Sequence, residues 1–283
     1  MSSYPIDDCR LELASPVGAV DTFHCARKVK QRVARNFSRA ANSYDDAAFL
    51  QKHVAMRTML GLPKRGDVKT VLDMGSGTGT YSVVLAERYS SAQVTGLDLS
   101  MGMLQFSQQQ HASINRIHWC SGDIESLPFI SDSVDLIFSN LAIQWCSLEQ
   151  VLYEAFRVLR SGGQFVFSTL VNGSLEELNT SWSRVGESGR VNKLSEFTEL
   201  QKIINNSMLH QKTLSLKAEV VYYPDVPTIL KALKALGVNT VLNGTPRLFT
   251  RRKLNAFKSA YETLRMPAGL PLTYQVVYGV LWK

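Results

Sequence analysis

Apolar residues in the middle of the chain form short continuous runs that alternate with segments of helical periodicity. The runs are too uniformly apolar to leave one face in water, which is typical of strands covered by helices on both sides. This alternation predicts an α/β fold with a doubly wound, mostly parallel sheet. We expect strands over residues 70–73, 93–98, 117–120, 134–139 and 164–170, and helices near 79–90, 100–111 and 147–160, the last ending at Gly162 and Gly163.

The pattern changes on both sides of this region. Val29, Val33 and Phe37 recur every four positions and predict an N-terminal helix, and a second helix should span about 45–60. Beyond residue 170 we expect two helices, near 174–187 and 195–206, a strand over 213–223, a helical pair near 226–236 and 251–264, and a final strand over 272–281. We therefore predict a flexible lead-in at 1–26 and one domain over 27–283, with N-terminal helices at 27–62 and a helical lid insertion at about 224–270.

The amino-acid composition limits the classes of protein to which the chain can belong. With 45% hydrophobic and 19% charged residues, the 283-residue chain can bury a sizeable core and is too apolar to be disordered. No apolar run reaches the roughly 18 residues that a membrane span needs, and we expect no secretory signal. The four cysteines and five histidines have no metal-binding spacing, so we expect no metal site and a reduced, cytoplasmic location.

The net charge of +7 is unevenly distributed. Residues 68–170 contain five basic and nine acidic side chains, whereas residues 200–283 contain twelve basic and three acidic ones. A further basic cluster lies between residues 27 and 39. Such a distribution favours an anionic partner, although it is also compatible with solvated helix faces. We expect no nucleic acid, because no helix-turn-helix, RNP or zinc-finger pattern accompanies the charge.

A glycine-rich turn follows the first predicted strand of the sheet. Gly75, Gly77 and Gly79 alternate with Ser76 and Thr78, and glycine lets the backbone turn tightly and approach a ligand where a Cβ would collide. The next strand ends in Asp98, which is well placed to accept hydrogen bonds from a ribose diol. Together these features predict a nucleoside-containing ligand across the carboxyl ends of the first two strands.

The glycine spacing disfavours a dinucleotide. The G-x-G-x-x-G/A fingerprint requires a small third residue, but Thr80 or Ser82 would occupy that position. Asp73 precedes the first glycine, and its charge would repel a pyrophosphate. An acid there suits a cationic ligand, and S-adenosylmethionine carries an ammonium and a sulfonium. We therefore expect S-adenosylmethionine and give a nicotinamide dehydrogenase little weight.

With the segments 121–129 and 135–140 included, the chain resembles class I S-adenosylmethionine-dependent methyltransferases, which have a Rossmann-like fold. The resemblance implies that Asp123 bonds the adenine amino group beside the Ile124 backbone, and that Asn140 lines the methionine moiety. Asp123 could instead be a turn or cap acid, and Asn140 a loop-capping amide. The candidate cofactor-binding residues are Tyr44, Gln51, Asp73, Gly75, Gly77, Gly79, Asp98, Leu99, Met103, Asp123, Ile124 and Asn140.

Segments that vary among methyltransferases are similar to the malonyl-acyl-carrier-protein O-methyltransferases of the biotin pathway. These segments are residues 37–41, 44, 50–51, 122–128, 139–146, 168–175 and 271–274. The resemblance implies methyl transfer from S-adenosylmethionine to the free carboxylate of a malonyl thioester on acyl carrier protein or coenzyme A. The products would be S-adenosylhomocysteine and the methyl ester that primes pimeloyl synthesis. It also implies that Tyr44 and Gln51 close over the cofactor, unless they are ordinary residues of amphipathic helices.

This reaction needs no catalytic base, because a carboxylate with a reference pKa near 4 is already ionised at neutral pH. We therefore assign no catalytic residue and expect catalysis by positioning. An arginine is the most suitable donor for the malonyl carboxylate, and Arg247 and Arg251 are the candidates, although each could instead contact the carrier protein or solvent. Trp145 could line the thioester channel or belong to the core.

Two other functions stay open at this stage. The chain could bind the same cofactor through the same half of the fold but methylate another carboxylate or a small metabolite. It could also be a non-catalytic S-adenosylmethionine-binding adaptor that holds a partner with its basic surface. If the family resemblance holds, the basic surface has a natural partner, because acyl carrier proteins are strongly acidic and would be attracted over a long range.

Overall fold

The computed structural model describes residues 17–64, 68–236 and 250–283. The strands are β1 (Thr70–Met74), β2 (Gln93–Asp98), β3 (Ile117–Ser121), β4 (Val134–Asn140), β5 (Leu159–Leu170), β6 (His210–Tyr223) and β7 (Leu270–Trp282). The helices are α1 (Val17–Ala47), α2 (Phe49–Thr58), α3 (Thr80–Arg88), α4 (Met101–Gln110), α5 (Leu148–Val158), α6 (Glu176–Arg184), α7 (Phe197–Asn205), α8 (Val226–Ala235) and α9 (Arg251–Glu262).

The seven strands form one sheet in the order β3-β2-β1-β4-β5-β7-β6. The first five strands in this order are parallel, and β7 runs antiparallel to both of its neighbours. The strand order reverses between β1 and β4, and in open sheets of this kind ligands bind in the crevice outside the carboxyl ends of the strands at such a point. The prediction of a doubly wound, mostly parallel sheet is confirmed.

Burial on both faces of the sheet explains the uniformly apolar strands. Val71 of β1 packs in a cluster with Leu85 of α3, whereas its neighbour Leu72 packs in a second cluster with Val151 of α5. Successive side chains of a strand point to opposite faces, so a strand covered on both sides needs apolar residues at every position. A parallel sheet between two helical layers is the result.

A third apolar cluster lies beside the carboxyl ends of the strands, at the edge of the sheet where a ligand is expected. It joins α2, α6, α8 and α9 to β7, and its centre is the stacked pair of Trp182 and Phe257, whose ring centroids are 3.6 Å apart. The helices α8 and α9 connect β6 to β7, and residues 237–249 between them lie outside the described residues. This cluster therefore fixes the helices that follow β6 against the end of the sheet.

Two boundaries differ from the sequence expectations. Helix α1 begins at Val17, so part of the predicted flexible lead-in is helical, and residues 1–16 lie outside the described residues. Helix α5 ends at Val158, and Gly162 and Gly163 belong to β5 instead of following a helix. The reason is tertiary: Gly162 N donates to Lys283 O at 2.7 Å and Lys283 N donates to Gly163 O at 3.0 Å, which ties this part of the strand to the end of the chain.

Candidate active site

The glycine turn between β1 and α3 forms the floor of a crevice. The N–H groups of Gly75 and Ser76 both donate to Leu97 O, at 2.8 and 3.0 Å, and hold the turn over the end of β2. Gly75 has a φ of +81°, and a Cβ there would lie 2.4 Å from the Cβ of Ala142. Gly77 also has a positive φ, but a Cβ there would meet nothing within 4 Å. The backbone at Gly77 thus faces open space that a ligand could fill.

Asp98 lies at the end of β2 with its carboxylate fixed by the backbone. Oδ2 accepts from Gly77 N at 2.9 Å and Oδ1 accepts from Ser100 N at 2.7 Å. Burial raises the pKa of Asp98, although these N–H donors oppose the shift. Each carboxylate oxygen has a second lone pair, so the group can still accept from the hydroxyls of a sugar.

A narrow recess beside the turn contains a buried carboxylate and a buried amide. Asp73 is buried, Ser82 Oγ donates to its Oδ2 at 2.6 Å, and burial raises the pKa of Asp73 to about 7. Gln51 is also buried, and its Oε1 has no hydrogen-bond partner among the described residues. Both residues line the recess. A ligand that carries an ammonium would offer N–H donors to both of these groups.

Helix α1 covers the crevice from the other side. Val33, Phe37 and Tyr44 face it, and Lys30 Nζ lies 2.6 Å from Asp123 Oδ2. The same ammonium lies 2.7 Å from Glu125 Oε2. Burial lowers the pKa of Lys30, but hydrogen bonds to the two carboxylates outweigh it and the net pKa is raised. Lys30 therefore stays charged and joins α1 to the loop after β3.

The structure brings most of the predicted cofactor-binding residues to one place. The crevice is lined by Tyr44, Gly75, Gly77, Asp98, Leu99, Met103, Asp123, Ile124 and Asn140, and Asp73 and Gln51 line the adjoining recess. Gly79 is different, because it is in neither lining. It precedes α3 with a φ of +80°, and a Cβ there would lie 2.4 Å from the Trp119 indole. Gly79 is thus explained by packing within the fold.

A second cavity of about 310 Å³ adjoins the crevice and shares Phe37, Tyr44, Leu141 and Trp145 with it. The rings of Phe37 and Trp145 meet edge to face, with centroids 5.9 Å apart. The lining of this cavity is mostly apolar and includes leucines from α6 and α8. Trp145 therefore forms part of the wall between the two spaces.

Of the two predicted arginines, Arg251 alone is among the described residues. Arg251 is exposed at the start of α9 and is not part of either lining, and Arg247 lies outside the described residues. The described lining of the second cavity contains Arg190 instead, from the loop between α6 and α7. No sequence signal marks Arg190, since it follows Gly189 in an irregular segment. Lys30 was detectable only as one member of the N-terminal basic cluster.

The geometry fits an ammonium-bearing nucleoside better than a metal ion. An open backbone at Gly77, a fixed acid at the end of β2, and a buried carboxylate and amide in the recess are features that such a ligand would complement. Among the described residues, no histidine lines the crevice, the recess or the second cavity, and no cluster of His, Cys, Asp or Glu could hold a metal. None of the described helices has the length and apolar character needed to cross a membrane.

Comparison with known proteins agrees with this geometry. Residues 72–167 match the family model of a methyltransferase domain. The malonyl-[acyl-carrier protein] O-methyltransferase of Pectobacterium atrosepticum is 38% identical over 90% of this chain and 97% of its own length, and that of Serratia marcescens is 39% identical over 90% and 96%. The biotin biosynthesis bifunctional protein BioHC of Cellvibrio japonicus is 40% identical over 90% of this chain, which spans 50% of that protein.

Solved structures support the fold. A putative methyltransferase from Bacillus halodurans covers 81% of this chain and 98% of its own with a TM-score of 0.58 and 14% identity. A geranyl diphosphate C-methyltransferase from Streptomyces coelicolor covers 82% of this chain and 79% of its own with a TM-score of 0.52 and 20% identity. At such low identity these likenesses concern the architecture alone.

Proposed function

The chain belongs to the family of malonyl-[acyl-carrier protein] O-methyltransferases, and we propose on this basis that it methylates the free carboxylate of a malonyl thioester carried by acyl carrier protein or coenzyme A. The methyl donor is S-adenosylmethionine, and the products are S-adenosylhomocysteine and a malonyl methyl ester for biotin synthesis. The single observation that supports this best is the junction of the crevice with a largely apolar second cavity. A thioester arm can enter the second space and present its end to the first.

Residues of the crevice would hold the cofactor by complementary chemistry. Asp98 would accept from the ribose hydroxyls, and Asp123 with the Ile124 backbone would bind the adenine. The buried acid Asp73 and the amide of Gln51 would favour the ammonium of the methionine moiety. When bound, S-adenosylmethionine supplies an electrophilic methyl group, and its own positive charge suits this acidic surrounding. Gly75, Gly77, Leu99, Met103, Asn140 and Tyr44 complete the proposed cofactor site.

The chain's own contribution to catalysis is positioning. The nucleophile is an ionised carboxylate, so no residue has to remove a proton, and none of the described lining residues is a histidine. Alignment of a nucleophile with its target can supply roughly 7–11 kcal/mol of the barrier. Phe37, Tyr44 and Trp145 lie where the two cavities meet and would keep water from the reacting atoms.

We also propose that an acidic acyl carrier protein docks on α8 and the start of α9. Leu230 and Leu233 of α8 line the second cavity, while Lys231 and Lys234 of the same helix are exposed. Arg251 is also exposed at the start of α9. A carrier protein held by these charges would have its thioester arm beside the cavity. The same charges would increase the rate at which the carrier protein and the enzyme associate.

The decisive experiment is mass spectrometry of malonyl carrier protein incubated with the protein and S-adenosylmethionine. We expect a gain of one methyl group that an esterase removes, and no gain with acetyl carrier protein. Parallel incubations with malonyl-coenzyme A and with free dicarboxylates test the other substrates. Methylation of a free dicarboxylate alone would indicate a small-metabolite enzyme. Binding of S-adenosylmethionine without transfer to any of these acids would indicate a non-catalytic adaptor.

A further inference from the structure

The second cavity presents an electrostatic problem for the proposed substrate. A malonyl group carries a full negative charge, and its transfer from water to an apolar site is costly unless a donor or cation receives it. Of the described residues that line this cavity, Arg190 is the single charged one, and none is acidic. The malonyl carboxylate therefore needs a cation in this cavity, and Arg190 is the one described lining residue that can supply it.

Arg190 is held in a defined position. Its side chain is 17% exposed, and Nη2 lies 2.7 Å from Oε2 of Glu187, a carboxylate that is 6% exposed. Glu187 also accepts from Lys253 Nζ on α9. The ammonium of Lys253 and the guanidinium of Arg190 lower the pKa of Glu187 to about 2, so Glu187 stays ionised at neutral pH. A permanent negative charge behind the guanidinium fixes its place in the wall.

The loop that carries Arg190 is anchored at both ends. Glu187 N donates to Trp182 O at 3.0 Å, at the end of α6. At the other end, Asn172 N donates to Ser195 O at 2.9 Å, and Asn172 Nδ2 donates to Glu196 Oε1 at 2.6 Å. Residues on a loop tied in this way lose less freedom when they bind a ligand than residues on an unattached loop.

We propose that Arg190 binds the carboxylate of the malonyl group, with Glu187 as its positioning residue. This inference rests on the proposed function and adds the specificity-determining residue to it. A guanidinium has five N–H donors in a planar fork, and a group of this kind can pair with one carboxylate and also bind a second. If the fork engages one carboxylate oxygen, the other remains available to attack the methyl group. Methylation removes the negative charge, which weakens the contact with Arg190 and favours release of the ester.

The test compares R190Q and R190K with R184Q. Arg184 is a matched control because it is exposed on α6 and its Nη1 donates to Thr263 Oγ1, away from the second cavity. We expect R190Q to lower kcat/KM for malonyl-coenzyme A by about 10- to 100-fold, mainly through KM, since hydrogen bonds to charged groups are of that strength. R190K should recover part of this loss, and R184Q should match the unmodified protein.

Competition by acetyl-coenzyme A tests whether Arg190 recognises the malonyl carboxylate or only stabilises the cavity wall. The unmodified protein should prefer malonyl-coenzyme A over acetyl-coenzyme A, and R190Q should lose most of this preference. Equal loss of affinity for both thioesters, or an unchanged KM in R190Q, would overturn the proposal. Calorimetry with S-adenosylhomocysteine checks that each variant is folded. If R190Q does not bind this ligand, the preference for malonyl-coenzyme A over acetyl-coenzyme A is measured with R190K, and the same outcomes decide. Absence of transfer by the unmodified protein would instead refute the proposed function itself.

Discussion

The ammonium of Lys30 on α1 lies 2.6 Å from the carboxylate of Asp123 after β3, although the two residues are 93 positions apart in the chain. Asp123 is the residue proposed to accept from the adenine amino group. The cofactor must therefore share this carboxylate with Lys30 or displace it. The pair also gives α1 an ionic contact beside the crevice, in addition to the contact between the Ser38 and Ser100 hydroxyls at 2.8 Å.

The Lys30–Asp123 pair leads to the first prediction. We expect D123A to raise KM for S-adenosylmethionine about tenfold, because loss of one hydrogen bond with a charged partner costs at least about 1.5 kcal/mol. K30Q should change this KM by less than about threefold, since the pair is partly exposed and such pairs contribute little. Steady-state kinetics with varied S-adenosylmethionine measures both values. A larger effect of K30Q than of D123A would contradict the proposed role of Asp123.

Asp73 provides a prediction about stability and pH. Its pKa of about 7 lies above the ordinary value of 3.8, so the folded protein binds this proton more tightly than the unfolded chain. Its contribution to the free energy of unfolding therefore falls as pH rises from about 4 to about 7. D73N removes the buried charge, and we expect it to raise the free energy of unfolding at pH 8 by up to about 4 kcal/mol. Thermal unfolding of the ligand-free proteins at pH 5 and pH 8 checks this.

The same residue should make cofactor binding depend on pH. Protonation of Asp73 competes with binding of the ligand's ammonium, so the affinity of the unmodified protein for S-adenosylhomocysteine should fall between pH 8 and pH 6. D73N should bind the ligand weakly and show little dependence over this range. Calorimetry at several pH values measures both trends. Full affinity in D73N at pH 8 would mean that Asp73 does not receive the ammonium.

The glycine turn permits a test with a matched control. Gly75 and Gly162 both have positive φ angles, +81° and +79°, but a Cβ at Gly75 would collide with Ala142 whereas one at Gly162 meets nothing within 4 Å. Both alanine variants should lose roughly 1–2 kcal/mol of stability from the left-handed backbone. G75A alone should also lose binding of S-adenosylhomocysteine, because the turn must move. Equal binding by G75A and G162A in calorimetry would argue against a ligand at this turn.

Docking of the carrier protein should depend on salt and on α8. Raising the ionic strength should increase KM for malonyl carrier protein more than KM for malonyl-coenzyme A, because attraction between separated charges is screened. The double variant K231E/K234E should have the same selective effect at low salt. K202E is the control, since Lys202 is exposed on α7, which packs beside α5. Equal salt sensitivity for both substrates would contradict the docking site.

Several features of the molecule follow from local sequence patterns. The strands between residues 70 and 170 were predictable because burial on both faces imposes an apolar residue at every position. The positions of Asp73 and Asp98 beside the crevice were predictable, because each lies at or next to the carboxyl end of one of two adjacent parallel strands, which brings both side chains to one edge of the sheet. Gly75 and Gly77 followed from the short turn that must connect β1 to α3. These inferences need only periodicity, strand ends and turn chemistry.

Other features depend on contacts between segments that are distant in the chain. The packing of Gly79 against Trp119, the pairing of Lys30 with Asp123 and the presence of Arg190 in the second cavity are all of this kind. The first contact depends on the placement of β3 beside β2, and the other two depend on how α1 and the loop after α6 fold back over the sheet. No local pattern specifies these arrangements. Periodicity, strand ends and turn chemistry were thus enough to predict the sheet and the positions of Asp73 and Asp98. The positions of Lys30 and Arg190 became known from the folded chain alone, because they depend on contacts between segments that are distant in the sequence.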